Sequence, residues 1–125
     1  MKIYYIDDEE INLMLMQMLV ESKGVDCETF NNFDALKSAL AHRAHPDIVI
    51  TDIKMPGVDG FAVVQDLAEH YPNLPVAYCT AFSSLEDAFN SSDKQYKHDL
   101  KRPCYIKPIR VDVVEFAEST IADFR

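Results

Sequence analysis

IVITDIKMPGVDG, residues 48 to 60, is the stretch on which the reading of this chain turns. Ile48-Val49-Ile50 is an apolar run of the kind that forms a strand buried on both faces of a parallel sheet. It ends at Thr51-Asp52, and Met55-Pro56-Gly57 and Asp59-Gly60 then supply turn residues. A carboxylate therefore stands where a core strand gives way to a loop. In open α/β sheets ligands bind outside the carboxyl ends of the strands. Asp is also a common turn and cap residue, so Asp52 alone is read equally well as a cap.

The flanking sequence repeats the same arrangement. Lys2-Ile3-Tyr4-Tyr5-Ile6 is rich in strand formers and ends at Asp7-Asp8-Glu9-Glu10. Four acids in a row suit a solvated helix start, but Asp7 and Asp8 also occupy the strand-end position of Asp52. Ile11, Met14, Leu15, Met18 and Leu19 follow helical spacing and are read as the core face of a first helix, with the methionines as core filler. Gly24 stops it. Val25 to Phe30 reads as a second strand. Asn32 caps a second helix with Leu36, Ala39 and Leu40 on one face, and Pro46 prevents its continuation. After the central strand, Asp59 caps a helix carrying Phe61, Val64, Leu67 and Ala68. Pro75 to Cys79 is a fourth strand, ending at Thr80. A fourth helix starts at Leu85, Ala88 and Phe89, with Asn90 to Asp93 as an interruption and Tyr96 and Leu100 as its resumption. Pro103 to Ile106 is a short fifth strand ending at Lys107-Pro108. A last helix puts Val114, Ala117, Ile121 and Phe124 on one face.

This fivefold β-α alternation predicts a parallel sheet covered on both sides, connected by right-handed crossovers. The expected fold is the flavodoxin-like doubly wound (βα)5 sheet, strand order 2-1-3-4-5, as one domain over residues 1–125. In that order Asp7, Asp8 and Asp52 meet at one rim, and Thr80 and Lys107 join them. Clustered carboxylates repel, and a hard divalent cation relieves the repulsion. Mg²⁺ (or Mn²⁺) fits a site of few carboxylates with room for water and a phosphate. Lys107 offers a point charge and Thr80 a hydroxyl for phosphoryl oxygens. A carboxylate attacking phosphorus forms an aspartyl-phosphate, and Asp52 on the central strand is the best-placed nucleophile.

Composition narrows the partners. Of 125 residues, 48% are apolar, which suits one packed core. The net charge of −9, from 12 basic and 21 acidic residues, argues against a nucleic-acid or anionic-membrane surface. Cys27, Cys79 and Cys104 are odd in number and widely spaced, no signal peptide precedes them, and no run reaches membrane-spanning length. A reduced cytoplasmic setting is expected, with the cysteines as small core residues. His42 and His45 near a helix end, and His70 and His98, read as surface residues.

Asp7-Asp8, DIKMPGVDG from Asp52 to Gly60, Thr80-Ala81 and Lys107-Pro108, in this order on successive strands, resemble the receiver domain of the two-component response regulator family. The resemblance covers essentially the whole chain, and the 44 positions from Asp8 to Asp52 (52 − 8) match the family. It implies that Asp52 is the phosphoacceptor, taking a phosphoryl group from the phosphohistidine of a sensor histidine kinase or phosphotransfer protein. It implies Mg²⁺ held by Asp8, Asp52 and the backbone carbonyl of Lys54, with Asp7 reaching the metal through water. It makes Thr80 the switch hydroxyl, with Ala81 beside it, and Lys107 the phosphate-binding lysine. Lys54 and Phe82 flank the site, at positions that tune phosphate lifetime. The partner on the output side is a downstream protein or fused output domain. The helix 4–strand 5–helix 5 surface serves output or homodimerisation in the family.

Two departures stand out. The family usually carries an aromatic three positions before the lysine, and here that residue is Cys104, with Tyr105 next. Strand alternation points the two to opposite sides, so either a local irregularity displaces Tyr105 or the aromatic half of the switch is absent. Thr80 to Lys107 spans 27 positions (107 − 80), longer than the family leads one to expect, with the excess around Ser91 to Arg102. A receiver-like binding module working without phosphate is the alternative these departures raise. A haloacid-dehalogenase-like phosphohydrolase is disfavoured, because Lys54 stands where such enzymes carry a second Asp.

Overall fold

The structure, a computed structural model, describes residues 1–92 and 100–124. Five strands alternate with five helices: β1 Lys2–Ile6, α1 Glu10–Ser22, β2 Asp26–Phe30, α2 Phe33–His42, β3 Ile48–Asp52, α3 Gly60–His70, β4 Val76–Thr80, α4 Leu85–Asn90, β5 Cys104–Ile106 and α5 Val113–Phe124. The strands form one parallel sheet in the order β2-β1-β3-β4-β5, the doubly wound order that the alternation predicts.

Every residue of β3 and β4 is buried, which is why Ile48–Ile50 and Val76–Cys79 read as continuous apolar runs instead of alternating ones. Side chains of alternate residues feed two cores. Tyr4, Ile6, Val49, Val76 and Tyr78 pack with α2, α3 and α4. Ile3, Tyr5, Ile48, Ile50, Ala77, Cys79 and Tyr105 pack with α1 and α5.

Helix starts follow the capping chemistry in the sequence. Asn32 Oδ1 accepts from Ala35 N at 2.8 Å, Asp59 Oδ1 from Ala62 N at 2.9 Å, and Ser84 Oγ from Asp87 N at 3.0 Å. Gly24, at φ +75, ends the α1 region. Gly60 is required sterically. A Cβ there would lie 2.4 Å from Asp52 O and 2.7 Å from Ile53 Cα. Its bare backbone lets α3 start against the end of β3, with Gly60 N donating to Ile53 O at 2.7 Å.

Two expectations need correction, in α1 and α5. The core face of α1 is Leu13, Met16 and Val20, with Leu15 and Leu19 partly buried against it. Ile11, Met14 and Met18 are 78%, 64% and 62% exposed and form an outward apolar stripe, so Met14 and Met18 are not core filler. In α5 the expected Val114, Ala117 and Ile121 do face the core, joined by Val113 and Thr120, but Phe124 is exposed. Helix α4 ends at Asn90, where the sequence reading places the interruption. Tyr96, His98 and the expected resumption of this helix up to residue 99 lie outside the described residues.

Candidate functional site

Register assembles the site. Ile6 pairs with Thr51, so the residues that follow, Asp7 and Asp52, emerge side by side. Thr80 pairs with Ile106, so Lys107 leaves the sheet beside Thr80, and its amide donates to Thr80 O at 2.8 Å. Period-two alternation adds a second constraint. Asp7, Asp52 and Lys107 each lie two residues past a residue of the α1/α5 core, namely Tyr5, Ile50 and Tyr105. The three charged groups therefore share one side of the rim.

Lys107 bridges the two buried acids. Its Nζ lies 2.9 Å from Asp7 Oδ2 and 3.2 Å from Asp52 Oδ1. Asp7 is fully buried and Asp52 is 5% exposed. Carboxylate oxygens of Asp7, Asp8 and Asp52 come within 4.8 Å of one another, with Asp8 on the solvent side. Burial, together with the negative charge of Asp7, pushes the Asp52 carboxyl up to about 7 against the opposing pull of Lys107. Burial alone would draw the Lys107 ammonium down, but Asp52 and Asp7 outweigh it and the net direction is upward. The cluster thus holds more negative charge than one ammonium balances. An oxygen-rich, anionic, partly open set of donors fits a hard divalent cation.

The remaining expected residues surround this centre. Thr80 is buried, and its Oγ1 accepts from Phe82 N at 3.1 Å. Ala81 and Lys54 are exposed and Phe82 is half-buried. Met55, Asp59, Phe82 and Ala88 line a cavity of about 180 Å³ between the β3–α3 loop and α4, which Lys54 also borders. The peptide bond between Lys107 and Pro108 is cis.

Cys104 and Tyr105 point to opposite sides, as alternation requires. Cys104 is partly buried against the α2–α4 core. Tyr105 is buried in the α1/α5 core, edge-on to Phe116 with ring centroids 5.4 Å apart. Its hydroxyl donates to Asp112 Oδ1 at 2.5 Å and accepts from Arg110 N at 3.0 Å. No irregularity in β5 carries this ring to the α4 side.

Sequence reasoning missed one participant. Tyr5, read only as a strand former, donates from its hydroxyl to Asp7 Oδ2 at 2.5 Å. The signal was available: residues two apart on a strand share a face, so a tyrosine two positions before a site acid points at that acid.

Comparison with known proteins agrees with this geometry. A family model described as the response regulator receiver domain matches residues 3–112. The chain is 33% identical over 89 residues to the DNA-binding transcriptional regulator NtrC of Salmonella typhimurium, covering 71% of this chain and 19% of that protein. It is 31% identical over 116 residues to the sensor histidine kinase RcsC of Escherichia coli, covering 92% of this chain and 12% of that protein. The chain thus spans less than a fifth of the length of these relatives. The solution structure of the apo receiver domain of nitrogen regulatory protein C superposes with a TM-score of 0.75 at 29% identity, covering 97% of this chain and 94% of that one. A receiver domain protein from Clostridium thermocellum superposes with a TM-score of 0.78 at 24% identity, covering 98% and 94%. With its acidic rim and lysine bridge on a sheet of this order, and a family match running from β1 to the threshold of α5, the chain belongs to the response regulator receiver domain family.

Proposed function

We propose that this chain is the phosphoacceptor of a two-component signalling system, with Asp52 taking the phosphoryl group of a phosphohistidine on a sensor kinase or phosphotransfer protein. The observation that carries the reading is the Lys107 ammonium lying between two buried carboxylates, with the exposed Asp8 completing the cluster. An Asp52 carboxylate oxygen forms the bond to phosphorus as the P–N bond breaks. The electron pair leaves with the imidazole nitrogen, which takes a proton from solvent. Lys107 moves onto a phosphoryl oxygen and Thr80 turns its hydroxyl toward another. Asp8, Asp52 and the Lys54 carbonyl would hold Mg²⁺ (or Mn²⁺) directly, and Asp7 through water. When bound, the metal neutralises charge on the phosphoryl oxygens. Slow self-dephosphorylation belongs to the same site, and the purpose is signalling rather than turnover of a substrate.

The donor must reach the rim from solvent. The exposed apolar stripe Ile11, Met14 and Met18 begins three residues after Asp8 on α1, so this reading docks the donor protein there. Output passes through the α4–β5–α5 surface to a downstream protein or a fused output domain. Tyr105, tied to Asp112 on the α5 side, does not act as the swinging aromatic, and Thr80 and the β4–α4 loop carry the change. A cytoplasmic location accords with the reading. Among the described residues no helix is long and apolar enough to cross a membrane.

Intact mass after incubation with Mg²⁺ and acetyl phosphate tests the proposal. One labile adduct of a phosphoryl group is expected on the parent and none on Asp52→Asn. Equal labelling of both proteins removes Asp52 as acceptor. No labelling by acetyl phosphate or by a phosphorylated kinase leaves the phosphate-independent binding module as the better reading, which the altered Cys104–Tyr105 region would then favour.

A further inference from the structure

Asp7 has three hydrogen-bond donors. Glu9 N donates to Oδ1 at 2.9 Å, while Lys107 Nζ and the Tyr5 hydroxyl both reach Oδ2, at 2.9 and 2.5 Å. The Lys107 contact is the one that the phosphoacceptor reading breaks, because the ammonium moves to the phosphoryl group. A fully buried Asp7 would then keep Oδ2 without a charged partner. The Tyr5 hydroxyl stays, because β1 is a central strand and Tyr5 is itself fully buried. Among the described residues its other hydrogen-bond contact is Cys79 Sγ at 3.9 Å, a weak acceptor.

We propose that Tyr5 is a positioning residue of the acidic site: its hydroxyl fixes the Asp7 carboxylate for the metal's water shell and keeps it in place when Lys107 departs. This rests on the metal-dependent phosphoacceptor reading above. Outer-shell partners orient metal-binding carboxylates, and their removal typically weakens metal affinity by roughly ten- to a hundredfold. Without the hydroxyl, Lys107 is the remaining partner of Oδ2 among the described residues. The ammonium then binds Asp7 more closely and competes with the metal for it.

Titration calorimetry with Mg²⁺ on the parent, Tyr5→Phe and Tyr4→Phe decides the matter. Tyr4→Phe is the control. It deletes a fully buried hydroxyl one residue away, on the opposite face of β1, that has no hydrogen-bond partner among the described residues. The expected result is a loss of affinity of about tenfold for Tyr5→Phe, with Tyr4→Phe within twofold of the parent and both variants giving parent-like amide spectra. Equal affinity of Tyr5→Phe and the parent overturns the inference, as does an equal loss in Tyr4→Phe. A parent that binds no Mg²⁺ overturns the metal reading itself, and this inference falls with it.

Discussion

Asp52→Asn should make the metal-free protein more stable at pH 8. Asp52 is 95% buried beside the fully buried Asp7, with one lysine between them. Its carboxyl stands at about 7 against an ordinary 3.8. The folded state therefore keeps a proton that the unfolded state has released between these two values. Stability falls as pH rises through that window and stays reduced above it. The full difference amounts to about 4 kcal/mol at most. The value of about 7 already includes the pull of Lys107, and relaxation and water penetration at the rim return about half of the difference. The net expectation is a gain of about 2 kcal/mol at pH 8, which for a domain of this size is roughly 6–10 °C in Tm. The gain should shrink toward pH 5 and vanish below pH 4. Urea and thermal unfolding in EDTA at pH 5 and pH 8 provide the measurement. Saturating Mg²⁺ should raise the parent by roughly 2.7 kcal/mol at a hundred times Kd, enough to close the gap. A parent as stable as the variant at pH 8 in EDTA, or a difference that does not change with pH, would refute the reasoning that the carboxylates are in conflict.

Two further outcomes follow from positions away from the acids. Gly60→Ala places a Cβ 2.4 Å from Asp52 O, and neither backbone segment can yield without moving Asp52; a loss of about 2–3 kcal/mol in urea unfolding is expected, together with slower labelling by acetyl phosphate. Met14→Glu combined with Ile11→Glu changes the exposed α1 stripe without entering the core; labelling by acetyl phosphate should persist within twofold while transfer from a phosphorylated donor protein falls at least tenfold, and an equal effect on both donors would move the docking site elsewhere.

Much of the site was legible because its logic is positional. Once Lys2–Ile6, Ile48–Asp52 and Val76–Thr80 are parallel strands in the order found, their terminal residues have nowhere to go but one rim. Asp7, Asp52, Thr80 and Lys107 follow from strand ends alone. The orientation of α1 was not legible, for an equally physical reason. Ile11, Leu13, Met14, Leu15, Met16, Met18, Leu19 and Val20 surround most of the helix. Two overlapping stripes satisfy helical periodicity, and only packing against β1 and α5 selects Leu13, Met16 and Val20. The sequence pattern carried the surplus apolar residues without showing that they face solvent. That surplus is itself informative, since a helix needing only one buried face gains nothing in folding from the second.

The Cys104–Tyr105 exchange is where positional logic yields a functional consequence. A three-residue edge strand gives each side chain one face, and Tyr105 shares its face with Lys107. The tyrosine hydroxyl grips Asp112 and Arg110 N, one at the threshold of α5 and one in the loop after Lys107. The Arg110 guanidinium lies 5.0 Å from the ring centroid and donates to Pro108 O at 2.7 Å. These contacts tie the loop that carries Lys107 to the α5 core instead of leaving an aromatic ring free to turn beside α4. On the α4 side the sulfhydryl of Cys104 fills far less space than a ring. On the proposed reading, a shift of Thr80 toward a phosphoryl group would meet a small, deformable neighbour on β5 and a half-buried Phe82 next to it on the β4–α4 loop. Such a motion would have its easiest path through Phe82 and the cavity under α4, not through β5. Tyr105→Phe should accordingly leave the phosphorylation-dependent response of α4 intact while loosening the Lys107 loop, and a loss of that response with normal labelling of Asp52 would show that β5 carries the signal after all.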